Sequence, residues 1–193
     1  MKKRSIFDRV PLYLLWALFA VLLTMGLFQA VTDTGRQNKL TLMVNAQEVQ
    51  DTALMRTLAE DLPEGIRMIK VRPFSYAMLS ESSLKEADIW LIRASDFENF
   101  LPDFGPVAGY KENHPEHEYI TAPAGEDEIW GVKVYDAATG SGALKEYVGY
   151  APAGAEDTPE DWYLVFNPAS LHIGKNGQDT AAFTLAERLL TLP

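Results

Sequence analysis

The chain has 193 residues, no cysteine and a formal net charge of −10, so disulfides, thiolate nucleophiles and cysteine-ligated metals are excluded. The charge is uneven: Lys2, Lys3, Arg4 and Arg9 against Asp8 give the first nine residues +3, leaving −13 for the rest. An acidic bulk argues against nucleic acid as a partner, because backbone phosphates need clustered Lys and Arg, and it disfavours an anionic membrane surface as a site for the domain's own binding.

Val10–Val31, VPLYLLWALFAVLLTMGLFQAV, carries no formal charge. As a helix it has the length expected to cross a bilayer core of roughly 30 Å. Basic residues precede it and a nearly neutral flank follows (Asp33, Arg36, Lys39), so the positive-inside rule puts the amino terminus in the cytoplasm and the domain outside. Pro11 suits a first helical turn, where its missing N–H costs nothing. A cleaved signal peptide is the competing reading, but its apolar core would run about 7–15 residues, and Phe28-Gln29-Ala30 is a poor small-x-small exit. A buried soluble helix is the third. The expectation is therefore a cytoplasmic basic tail (1–9), a transmembrane helix (10–31), a polar tether (32–38) and an extracytoplasmic α/β domain (39–193), localised to the cell membrane as a single-pass protein.

Lys39–Asn45 reads as a strand, apolar on both faces over its middle and hence central in a sheet. Gln47–Asp61 carries Val49, Ala53, Leu54, Leu58 and the following Leu62 at helical spacing, with Glu48 and Asp51 enriching its start in acid. Pro63 and Gly65 end it, and Ile66–Val71 is the next strand. Strand, helix and strand with short joints predict a right-handed parallel crossover. Tyr76–Ala87 reads as short helix or turn, Asp88–Ile92 as a third strand. Ser95 with Glu98 three residues on is a capping-box pattern for a helix Ser95–Leu101, limited by Pro102. Pro106–Gly125 reads as irregular. Glu128–Tyr135 resumes as a strand in which Gly131 marks a bulge or close approach. Asp136–Gly142, DAATGSG, is a turn, Ala143–Tyr147 a short helix or strand, and Ala151–Asp161 a solvated loop. Trp162–Asn167 is the last strand, and Asp179–Leu190 a closing amphipathic helix capped by Asp179. This order predicts a mixed three-layer α/β/α sandwich.

The alternation resembles the first lobe of the two-lobed extracellular solute-binding proteins of ABC importers. The matching stretches are Leu40–Leu62, Ala87–Ile92 with Ser95–Leu101 behind it, Glu128–Val134, and the closing WYLVFNPASLHIG with its helix, together about 120 residues. The resemblance implies a single periplasmic-binding-like lobe whose ligand-facing positions are Asn45, Ala46 and Gln47; Arg93, Ala94, Ser95 and Asp96; and Trp130 and Gly131. It also implies a departure, because the family inserts a second lobe where only residues 136–161 separate Tyr135 from Trp162 here. A lone lobe has no opposing wall to close over a solute, which favours protein contacts or a partner chain on its open face.

Other candidates are weaker. His114 and His117 in HPEH, with Glu112, Glu116 and Glu118, come closest to metal ligands, but Pro115 spoils the helical spacing and the pattern is not HExxH. The segment reads as a solvated loop, with no metal and no cofactor expected. DAATGSG lacks both the P-loop pattern and the alternating acids of a calcium loop. Serines 75, 80, 82, 83, 95, 141 and 170 are plentiful, yet none sits in GxSxG. Asp96 with Glu98, or Glu126 with Asp127 and Glu128, could serve acid–base chemistry only if buried together. Trp130, Tyr135, Trp162 and Tyr163 could stack a sugar, but strand aromatics ordinarily pack. The functional expectation is a membrane-anchored, noncatalytic binding or scaffolding module with ligand positions Asn45, Gln47, Arg93, Ser95, Asp96 and Trp130, and with a protein partner in the membrane or cell envelope. Small-solute capture as an importer-associated binding protein is the alternative, and a hydrolase comes third.

Overall fold

The computed structural model describes residues 10–32, 34–74, 86–100, 110–121, 129–150, 158–174 and 179–193. The chain divides into two compact units, residues 1–35 and 36–193. The first contains helix α1 (Val10–Thr32), which has no acid in its first turn and no base in its last. Large apolar side chains from Leu12 to Met25 are 49–66% exposed around its whole circumference. The transmembrane expectation is corrected here: among the described residues no helix is long and apolar enough to cross a membrane.

The second unit begins with a 3-10 turn, Arg36–Asn38, and is built on β1 (Lys39–Val44), β2 (Met68–Pro73), β3 (Ile89–Arg93), β4 (Tyr119–Thr121), β5 (Ile129–Asp136), β6 (Ser141–Gly142) and β7 (Trp162–Phe166). These form one seven-stranded sheet in the order β2-β1-β3-β7-β5-β4, with β6 paired to β5. β1 runs parallel to both β2 and β3, as the crossover reading requires. β7, β5, β4 and β6 continue the sheet through antiparallel pairs.

Helices α2 (Asp51–Ala59) and α5 (Ala181–Thr191) both pack on one face of this sheet. Leu54 and Leu58 of α2 join Ala181, Ala182, Leu185, Ala186 and Leu189 of α5 over Leu40, Leu42, Val44, Ile89, Leu91, Val132, Leu164 and Phe166 in a single core. Full burial of each such leucine contributes about 1.5–3 kcal/mol. Arg188 fastens the two helices: Nη1 donates to the Leu58 carbonyl at 2.7 Å, Nη2 to that of Thr57 at 2.6 Å, and Nη1 also to that of Asp61. A cation thus sits on the orphan carbonyls at the α2 carboxyl end.

The opposite face has a smaller core of Met43, Phe74, Ala87, Trp90, Ile92, Phe97, Tyr163 and Val165. Among the described residues the only helix contributing to it is the seven-residue α3 (Ala94–Phe100). This corrects the three-layer sandwich and the single periplasmic-binding-like lobe preceded by a transmembrane helix: the domain is a mixed sheet curled into a half-barrel, with its substantial helices on one side. The antiparallel half supplies the curl, since antiparallel strands tolerate one solvated face and twist strongly. Register shifts at Ile120/Thr121 and at Lys133/Tyr135 add to it.

Several boundaries also move. Residues 47–50 precede α2 rather than begin it, and Val49 makes an isolated antiparallel bridge to Val148. α3 starts at Ala94, directly on β3, so Ser95 lies within the helix instead of capping it. The stretch read as irregular holds a single helical turn, α4 (Tyr110–Asn113), as well as β4. Residues 145–147 form a turn, preceded by Leu144 at φ 62. Gly131 does mark a close approach: a Cβ there would lie 2.7 Å from Val165 Cγ1 and 2.8 Å from the Leu164 carbonyl oxygen. Most of the Tyr76–Ala87 segment, and most of the Ala151–Asp161 loop, lie outside the described residues.

Candidate functional site

Because β1 and β3 are parallel neighbours, their carboxyl ends lie side by side, the customary location for ligand loops in open α/β sheets. Asn45 follows β1, Arg93 ends β3, and Asp96 stands in the first turn of α3. Their side chains are joined to one another. Asn45 Nδ2 donates to Asp96 Oδ2 at 2.5 Å, while Arg93 Nε donates to Oδ2 at 2.9 Å and Nη2 to Oδ1 at 3.3 Å. The Asp96 side chain is only 7% exposed. Ser95 is exposed, and its backbone N–H donates to Glu160 Oε2 at 2.9 Å. Gln47 is exposed and Ala46 buried. Trp130 lies in β5, and its side chain is outside the described residues. Three of the six expected ligand positions therefore form one bonded cluster.

Trp162 and Tyr163, considered for sugar stacking, are both buried in the two cores. Tyr150 stacks on Tyr135 at 4.3 Å and meets Trp162 edge-on at 5.2 Å. The Asp136 turn is closed by its own residues, Thr139 N and Oγ1 donating to Asp136 Oδ1 at 2.8 and 2.9 Å. Lys133 reaches Asp136, Asp161 and Glu118 at 2.9, 2.9 and 3.0 Å. That ammonium, then the Thr139 donors, holds Asp136 down at about 2.

A longer polar chain runs from buried Asp88 and His172 out to Asp179, whose side chain is 48% exposed. Asp88 Oδ2 accepts the Thr41 N–H at 2.7 Å, and Oδ1 accepts the Ser170 hydroxyl at 2.6 Å. Ser170 Oγ in turn accepts the His172 backbone N–H at 3.0 Å. The His172 ring, 1% exposed, places Nδ1 2.8 Å from Asp179 and Nε2 3.0 Å from the Arg36 carbonyl. Serine, histidine and aspartate are thus adjacent, but the ring does not face the hydroxyl. Burial opposes charging of His172, yet the Arg36 carbonyl and the Asp179 and Asp88 carboxylates outweigh it and raise the group above its ordinary 6.5. Burial raises Asp88, against the Ser170 and Thr41 donors.

A second histidine cluster is more open. α4 carries Tyr110, which is 2% exposed and packs on Phe166 and Phe183 at 5.3 and 5.2 Å. That anchor fixes the turn that follows, with the His114 N–H donating to the Tyr110 carbonyl at 3.1 Å. The His114 and His117 rings lie parallel, 5.8 Å apart. Both face Glu187 of α5: His114 Nδ1 is 3.3 Å from Oε2, and His117 Nε2 is 3.1 Å from each carboxylate oxygen. Glu116 Oε1 lies 3.7 and 3.8 Å from the same two nitrogens. Tyr110 Oη donates to Glu187, and Tyr119 Oη to the His114 carbonyl. Burial, then the Glu187 carboxylate, raises Tyr110, while burial with Glu116 and Glu187 pushes Tyr119 up to about 12. A cleft of about 480 Å³ opens alongside, with His114, Glu187, Asn113, Ile173, Thr180 and Phe183 in its lining.

The sequence placed HPEH in a loop, and residues 114–118 are indeed turn and coil. What it did not reveal is Glu187, 70 residues away. Its signal is faint: Glu187 follows Phe183 by one helical turn on the stripe of α5 beside the core, where a carboxylate needs a partner.

No known protein family, curated protein or solved structure matches the chain.

Proposed function

We propose that the chain is a noncatalytic binding or scaffolding module held at a membrane through residues 10–31, with a protein partner in the membrane or cell envelope. The observation that carries this reading is α1. Its large apolar side chains are exposed all round the helix, more surface than a protein groove covering one face would take out of water, which supports attachment to lipid. Lys2, Lys3, Arg4 and Arg9 precede the helix, complementing anionic headgroups, where each base contributes about 1 kcal/mol. The Asn45–Arg93–Asp96 cluster supports the scaffolding role: its polar groups are committed to one another, making a preformed edge for a protein to meet instead of a set of donors awaiting a solute.

Vesicle flotation of the full chain tests the reading. The protein is expected to float with lipid, and the triple variant Leu15→Glu, Leu18→Glu, Leu22→Glu to remain in the dense fraction. A wild-type chain that stays behind overturns membrane attachment. Thermal-shift screening with amino acids, sugars and small anions tests the noncatalytic scaffold. A rise in Tm abolished by Arg93→Gln would replace it with solute capture.

A further inference from the structure

We propose that His114, His117, Glu116 and Glu187 form a binding site for one divalent transition-metal ion, with zinc the best match, and that the ion fastens the segment 110–119 onto α5. The argument begins with geometry. One ligand atom from each of the four residues lies within 4.8 Å of all the others. A tetrahedral zinc with bonds of about 2.0–2.1 Å to nitrogen and oxygen places its ligand atoms about 3.4 Å apart. The four nitrogen-to-oxygen separations of 3.3, 3.1, 3.7 and 3.8 Å bracket that edge. The nitrogen-to-nitrogen and oxygen-to-oxygen edges are bounded by 4.8 Å, so an ion at the centre requires the side chains to close in by up to about 1.4 Å to reach that edge.

The donor set points to the same class of ion. Two imidazole nitrogens and two carboxylate oxygens suit zinc and its borderline neighbours, while calcium and magnesium prefer oxygen alone. The surroundings supply the orienting bonds such sites need. Tyr110, buried beneath the cluster, donates to Glu187 and fixes the carboxylate that both histidines face. Tyr119 donates to the His114 carbonyl and holds the turn that brings the two imidazoles parallel. Access is present as well, because His114 and Glu187 line the cleft and the Glu116 side chain is 61% exposed. Glu116 is then the exchangeable ligand, and the histidines with Glu187 form the fixed three.

Direct contact of the two histidines with Glu187 and no ion between them is the competing arrangement, and it makes different predictions. The full chain, in detergent micelles and stripped with chelator, is titrated with zinc by calorimetry and with cobalt by visible absorption. The expected result is one ion per chain, tetrahedral cobalt bands displaced by zinc, and a zinc-dependent rise in Tm. His117→Ala and Glu187→Gln should each weaken zinc by about 100-fold, and exposed Glu64→Gln should leave it unchanged. If a core variant fails to fold, Glu116→Gln, which alters only an exposed side chain, should still weaken zinc measurably and change the cobalt spectrum. Absence of stoichiometric binding, or binding indifferent to both Glu116→Gln and His117→Ala, overturns the site.

Discussion

The domain contains two histidine–carboxylate clusters, and they differ in how completely they are satisfied. His172 is sealed: both ring nitrogens have fixed partners and its backbone N–H is taken by Ser170. His114 and His117 instead share one carboxylate, stand partly exposed beside a cleft, and have a second, more exposed carboxylate within reach. The same residue types thus serve opposite ends. Where the imidazole is buried and both its nitrogens are used internally, the cluster holds elements together. Where acceptors exceed donors and one side is open, it can recruit a cation.

The largest effect that could break this contrast is loss of the sealed ring. His172→Ala removes the ring's bonds to the Arg36 carbonyl and to Asp179 and opens a cavity beside α5, so unfolding stability should fall by about 2–4 kcal/mol in urea titration. Asp88→Asn comes next. The side chain now accepts from both Thr41 N–H and the Ser170 hydroxyl, and an amide cannot accept both without turning a donor toward one. The expected loss is about 1–2 kcal/mol; an unchanged urea midpoint would show that the chain of bonds is not cooperative.

A smaller effect is pH dependence. The folded-state pKa of His172 is raised above 6.5, so its stabilisation is fully present below that value and is lost as pH rises through the folded value. The urea midpoint should therefore decline as pH rises above about 6.5, and His172→Gln should flatten that decline. Asp88, also raised, contributes its stabilisation below its ordinary 3.8 and loses it as pH rises above that value, which separates the two windows. The smallest effect belongs to the open cluster: without metal, His117→Ala should cost less than about 1 kcal/mol, as expected of partly exposed ion pairs. A loss as large as that of His172→Ala would make both clusters structural.

The sequence was most informative where local pattern and tertiary environment agreed. β1, β3 and β7 stand out as short apolar runs because they are buried on both faces, and the amphipathic spacing of Leu185, Ala186 and Leu189 identifies α5. It failed where structure is assembled from distant pieces. β4 has only three residues in a polar stretch interrupted by Gly and Pro, and it is a strand because Ile120 finds Gly131 opposite it. The three-layer expectation extended the β1-α2-β2 pattern to the whole chain, although the strands of the later half all pair antiparallel. At the predicted ligand loops, adjacency of Asn45 to Arg93 and Asp96 follows from parallel pairing of β1 and β3. That Asp96 would be buried among the other two was not legible, since burial of a carboxylate depends on which neighbours arrive. The His114–Glu187 juxtaposition was likewise invisible, because it depends on Tyr110 inserting between β7 and α5.

The position of β7 has a consequence for how the molecule comes into being. This strand is last in sequence but sits in the middle of the sheet, bonded to β3 on one side and β5 on the other. During synthesis the earlier strands form two separate fragments, each presenting a bare hydrogen-bonding edge and half of an apolar face until residues 162–166 leave the ribosome. Such edges invite pairing with a neighbouring nascent chain. Completion is also slow to reward, because the pairings of β7 with β3 close long loops. The keystone strand therefore makes the unfinished chain, rather than the finished domain, the form most in need of protection from aggregation.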